Sequence, residues 1–139
     1  MNSIEMRKLL KLREHRKRMD SVHYAAAGEE YAAAEILAEA KARESENSRR
    51  HALAGQHALY DGAVSKKLDS AGLDRLLYRT DQLKADAEAA AASAGKARQA
   101  LGIAANALEQ ARSRLTHSTY RVFKTEKLSA RCSAEAGRQ

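Results

Sequence analysis

The sequence predicts an all-α fold: one long antiparallel two-helix coiled coil, an α-hairpin spanning residues 1–139. Three observations predict it. The chain has no proline or tryptophan and a single phenylalanine, and it is dominated by Ala, Glu, Lys, Leu and Arg, the strongest helix formers. Its second half repeats apolar residues at alternating steps of three and four. Its midpoint carries turn residues. The apolar fraction of 44% is largely alanine, which suits helices zipped along a narrow seam better than a globule.

The first helix is expected over about residues 4–59. Its periodic signal is Leu12, Met19, Ala26, Ala33 and Ala40, every seven residues, flanked by Leu9, Val22, Ile36 and Leu37. Arg16, His23 and Glu30 fill the other expected seam positions, so this side of the groove is partly polar. Alanine at facing positions lets two backbones approach closely.

The turn is expected at about 61–69. Three glycines, Gly55, Gly62 and Gly72, fall in the middle window, and Asp61-Gly62 is a turn dipeptide. Asp69 or Ser70 can cap the following helix, because their side-chain oxygens accept from its free first-turn amides.

The second helix is expected over about 70–135. Its ladder runs Leu73, Leu76, Thr80, Leu83, Ala87, Ala90, Ala94, Ala97, Leu101, Ala104, Leu108, Ala111, Leu115, and more weakly through Ser118 and Val122. A sustained 3.5-residue repeat keeps one face toward a partner helix. Two near-equal arms around a midpoint turn favour a hairpin over one continuous helix, giving a monomeric rod of roughly 90 Å at 1.5 Å per residue.

Charge is segregated. Residues 1–20 carry +4, residues 112–139 carry +5, and the stretch between carries −2. A hairpin brings the two basic ends together. The densest basic run, Met6 to Arg18, lacks aromatics to stack on bases or anchor at headgroups. It reads as a solvated face, as a contact for an acidic protein surface, or as a nucleic-acid or anionic-membrane helix. Near the turn, Tyr60, Leu73, Leu76, Leu77 and Tyr78 cluster, with Leu77 and Tyr78 off the seam. They read as packing that closes the hairpin or as a docking patch.

Enzymatic chemistry has no visible seat. His15, His23, His51, His57 and His117 form no metal-ligand spacing with Cys or carboxylates. Cys132 is the single cysteine, which excludes an internal disulfide and leaves a reducing cytosol as the natural compartment. There is no phosphate-cradling glycine loop and no nucleophile elbow. No apolar run approaches the roughly 18–20 residues of a membrane span. No catalytic, metal or cofactor-binding residue is expected, and no cofactor.

The order of features resembles the YscO/FliJ-like proteins of type III secretion systems. The resemblance rests on Leu9-Leu-Lys-Leu-Arg-Glu-His-Arg16, then Arg49-Arg50 and Leu59-Tyr60-Asp61-Gly62. Leu68, Leu73, Leu76 and Leu83 follow, and then Tyr120-Arg-Val-Phe-Lys-Thr-Glu-Lys-Leu128. It covers about residues 5–130. Phe123 precedes Lys124, where the family pattern places phenylalanine after the lysine.

The resemblance implies a coiled-coil stalk, similar to the γ subunit of rotary ATPases. Its termini enter the pore of a hexameric secretion ATPase, and its hairpin tip meets an export-gate protein of the inner membrane. The implied location is cytoplasmic and peripheral at that membrane, without insertion into it. Secretion chaperones are further partners of some members, and nucleic acid is not one. With the charge pattern, it makes Leu9, Leu12, Arg13, Arg16, Arg18, Arg121 and Lys124 candidates for contacting the ATPase. Tyr60, Leu73, Leu76, Leu77 and Tyr78 become candidates for contacting the gate. The alternatives are a basic helical module for nucleic acid or anionic membrane, and a chaperone-binding coiled coil.

Overall fold

A computed structural model describes residues 2–138. Residues 1 and 139, the limits of the expected hairpin, lie outside the described residues. Two long helices, α1 (Ser3–Val64) and α2 (Ser70–Arg138), pack against each other as an all-α helical hairpin. Among the described residues there is no strand.

Local chemistry sets the helix ends. Asn2 opens α1 as a reciprocal cap: its Oδ1 accepts from the Glu5 amide at 2.8 Å, and its own amide donates to Glu5 Oε2 at 3.2 Å. The helix runs past Asp61-Gly62, which were expected in the turn, and ends at Val64. No glycine among the described residues has positive φ, so Gly62 is used as an ordinary helical residue and its turn propensity is not called upon. The stop comes three residues later, where the Ser65 hydroxyl donates to the Gly62 carbonyl at 3.0 Å and the Lys66 amide to that of Ala63 at 3.3 Å. The connection is thus residues 65–69. Asp69 caps α2, its Oδ1 accepting from the Gly72 amide at 2.7 Å.

The contacts divide the chain into two compact units. One combines residues up to Ala32 with those from Ile103 onward; the other is Ala33–Gly102. In the first unit Arg13 bonds to Thr125 and Asp20 to Ser118. Rising one heptad on α1 while falling one heptad on α2 makes these segments antiparallel. In the second unit Gly55 faces Leu83 across the pair, and the 65–69 connection reverses the chain.

Burial tests the two ladders separately. On α2 every expected seam position from Leu76 to Val122 is buried or half-buried, and the same steps continue through Thr125, Ser129 and Cys132. Leu73, the expected first rung, is 48% exposed, because α1 ends before it offers a full partner surface there. On α1 the expected ladder is displaced. Leu12, Met19, Ala26, Ala33 and Ala40 are all exposed, as are Arg16, His23, Glu30, Val22, Ile36 and Leu37. The seam lies one residue further on. One row is Met6, Arg13, Asp20, Ala27, Ala34, Lys41, Ser48 and Gly55; the other is Leu10, Lys17, Tyr24, Tyr31, Ala38, Ser45, Ala52 and Leu59. These rows mix small residues, two tyrosines and polar groups, of which Arg13 and Asp20 bond to hydroxyls across the seam. Among the described residues, no buried side-chain nitrogen or oxygen lacks a hydrogen-bond partner.

Candidate functional site: two charged and apolar surfaces

The first unit gathers both basic ends. Its two segments hold fourteen Lys/Arg against eight Asp/Glu, a net +6, while the second unit holds eleven against ten. Among the described residues, Arg7, Lys8, Lys11, Arg16 and Arg18 have no carboxylate within ion-pair distance; the pair within this unit is Arg112–Glu109 at 3.7 Å, on one helix face. Its positive charge therefore stands largely unpaired toward solvent.

The seam of this unit is polar where the charge is highest. Arg13, half-buried, reaches across to α2, donating from Nη1 to Thr125 Oγ1 at 2.6 Å and toward the Arg121 carbonyl at 3.5 Å. Thr125 is fully buried and donates in turn to the Arg121 carbonyl at 2.8 Å. Ser118 donates to Asp20 one heptad away. Arg13 thus stitches the two helices together and does not present a free surface charge. The other candidates divide by face. Leu9, Leu12 and Arg16 occupy one flank of α1 beside the seam, and Arg121 projects to the same flank from α2. Arg18 lies on the opposite flank, beside Glu14 and Glu126. Lys124 is on the exposed back of α2, where its neighbour Phe123 carries the Lys127 ammonium 4.6 Å from its ring centroid. Thr125 escaped the sequence reading, although it continues the step of three beyond Val122.

In the second unit, the candidates near the turn separate similarly. Leu76 is half-buried in the seam. Tyr60, Leu73 and Leu77 project to one flank of the helix pair at 49%, 48% and 48% exposure, and Tyr78 stands on the back of α2. These are four large side chains within three turns of the connection that the hairpin leaves uncovered. Further along α1, Glu46 Oε1 accepts from Arg49 Nη2 at 2.7 Å and from Arg50 Nε at 3.1 Å. The hydrogen bonds from Arg49 and then Arg50 lower the Glu46 pKa from 4.5 to about 2.

No grouping of three or more His, Cys, Asp or Glu among the described residues is placed to hold a metal ion. The five histidines are exposed, and Cys132 is a free, half-buried thiol on the α2 seam. No described helix is long and apolar enough to cross a membrane. The chain matches no family model, no curated protein and no solved structure.

Proposed function

We propose that this chain is the central stalk of a type III secretion ATPase, a non-enzymatic coiled coil whose basic unit enters the hexameric ring and whose hairpin turn meets the export gate. The observation that carries the reading is the packing of both basic termini into one unit of net +6 whose N-terminal cations lack carboxylate partners. Like charges gathered in this way repel, and an acidic partner surface offsets that cost. The uncovered Tyr60, Leu73 and Leu77 supply a second, apolar contact of the kind a gate protein would cover. On this reading the protein works at the inner membrane without entering it, ATP hydrolysis belongs to the partner, and no cofactor is needed.

The test reverses Arg16, Arg18 and Arg121 to Glu and measures stimulation of the co-expressed hexameric ATPase. Arg13 is left in place because it holds the seam. Loss of stimulation with helicity intact supports the stalk; full stimulation removes it. The rival reading, a basic module for nucleic acid or anionic membrane, predicts instead a steeply salt-dependent affinity for DNA, RNA or anionic vesicles.

A further inference from the structure

Beside the 65–69 connection, on the flank opposite Tyr60 and Leu73, the last turns of α1 and the first turns of α2 bound an open groove of about 420 Å³, a size typical of ligand clefts. Its floor is apolar, formed by Leu59, Leu68 and Leu76, and small residues including Gly62 leave it open on the α1 side. Lys66, Arg75 and Arg79 rim it, and no acidic residue lines it. Among the described residues none of these cations has a carboxylate within ion-pair distance; Arg75 Nε donates only to the Ala71 carbonyl of its own helix, at 3.3 Å. The groove continues one turn along the seam over Leu83, where Asp86 supplies its first carboxylate.

We infer that this groove binds an acidic linear segment of a partner protein, seating an aliphatic or aromatic side chain on Leu59 and Leu76 and flanking carboxylates on Lys66, Arg75 and Arg79. Charge complementarity selects the occupant. Two arginine forks and an ammonium around a leucine floor match carboxylates spaced around an apolar residue. A nucleic-acid strand would need a longer basic track and stacking surfaces, and this groove has an aliphatic floor and no aromatic residue lining it. The site lies apart from the basic unit and does not depend on the stalk reading.

Gly62 provides the decisive variant. A Cβ added there meets nothing within 4 Å, so Gly62→Leu starts its side chain in open space at the groove it lines, and leucine favours the helix over glycine. The probe is a fluorescein-labelled peptide, Glu-Asp-Leu-Glu-Glu-Leu-Phe-Asp, titrated into the full chain by fluorescence anisotropy. The expected result is saturable binding with Kd of about 10–100 μM, weakened at least about tenfold by Arg79→Glu. Gly62→Leu should weaken it similarly while melting no lower than the unaltered chain. Gly102→Leu, at another open helical glycine, should bind normally. Three results would overturn the proposal: no saturable binding, equal binding by Gly62→Leu, or equal affinity for a peptide with Lys in place of every Glu and Asp. Tighter binding of a thymidine oligonucleotide, or self-association that Gly62→Leu abolishes, would also overturn it, by assigning the groove to nucleic acid or to a second copy of the chain.

Discussion

Replacing Gly55 with alanine adds one methyl group where two opposing effects can be separated. In a helix interior alanine is favoured over glycine by about 1 kcal/mol. At Gly28, Gly95 and Gly102, where an added Cβ meets nothing within 4 Å, that gain should appear in full. At Gly55 the new Cβ would lie 2.7 Å from Leu83 Cδ1 and 3.8 Å from its Cγ. Leu83 must then leave its position, at about 0.5–1.5 kcal/mol for a strained rotamer and about 1–3 kcal/mol if the helices are forced apart. The net effect of Gly55→Ala should lie between about 0.5 kcal/mol stabilising and about 2 kcal/mol destabilising, against about 1 kcal/mol of stabilisation for Gly95→Ala. At about 4 °C per kcal/mol, thermal unfolding followed by circular dichroism separates the two variants. Pairing Gly55→Ala with Leu83→Ala removes the clash, so the double variant should be more stable than the sum of the single effects implies. A Gly55→Ala protein as stabilised as Gly95→Ala would refute the close approach of the helices at this rung, and with it the seam assignment of Gly55 on α1.

Other expectations follow from the same geometry. Thr125→Val keeps the shape but leaves Arg13 only its long contact to the Arg121 carbonyl, so it should cost about 1–3 kcal/mol in urea denaturation, while Thr125→Ser recovers most of it; equal losses would mean that the hydroxyl does not matter. Leu108→Asp should lower the melting temperature clearly by placing a charge in the half-buried seam, whereas Glu109→Gln, on the exposed face, should not. Glu46 should titrate near 2 by carboxyl NMR. Because its folded pKa is depressed, its contribution is complete above about 4.5 and lost as pH falls toward 2; replacing Arg49 and Arg50 with Gln should move the midpoint back up, and a midpoint near 4.5 in the unaltered chain would contradict the cluster.

The second helix was legible almost rung by rung because leucine and alanine there obey one rule, a 3.5-residue apolar repeat. Its start was legible from Asp69, whose carboxylate has no better use than the free amide of Gly72. The end of the first helix was not. Asp61-Gly62 signals a turn only if the glycine is asked for a left-handed conformation, and here it keeps helical φ while Ser65 closes the helix. The tip candidates Tyr60, Leu73, Leu76, Leu77 and Tyr78 lie on either side of the 65–69 connection. Their division between the seam, one flank and the back of α2 depends on the seam direction, and a list of nearby apolar residues does not contain that. The role of Arg13 was hidden for a related reason: a basic residue in a basic run looks solvated until its register sets it opposite a threonine.

The one-residue displacement of the α1 seam has a physical cause that reaches the candidate surfaces. Two adjacent heptad rows compete on this helix, about 100° apart. One contains Leu12 and Met19 with Ala26, Ala33 and Ala40; the other contains Met6, Ala34, Ser48 and Gly55, with Arg13 and Asp20. Choosing by hydrophobicity alone selects the first. Packing selects the second, since leucines on α2 such as Leu83 need small residues opposite them, and a methyl group at Gly55 would force Leu83 to shift. The polar members remain affordable because each of the two strongest, Arg13 and Asp20, meets a hydroxyl on α2. The helix therefore closes on small and hydrogen-bonded residues and turns the row of Leu12 and Met19 outward, leaving them at 52% and 43% exposure. Leu12, adjoining Lys11 and sharing a flank with Arg16, is where this outward row brings apolar area and positive charge together on the surface.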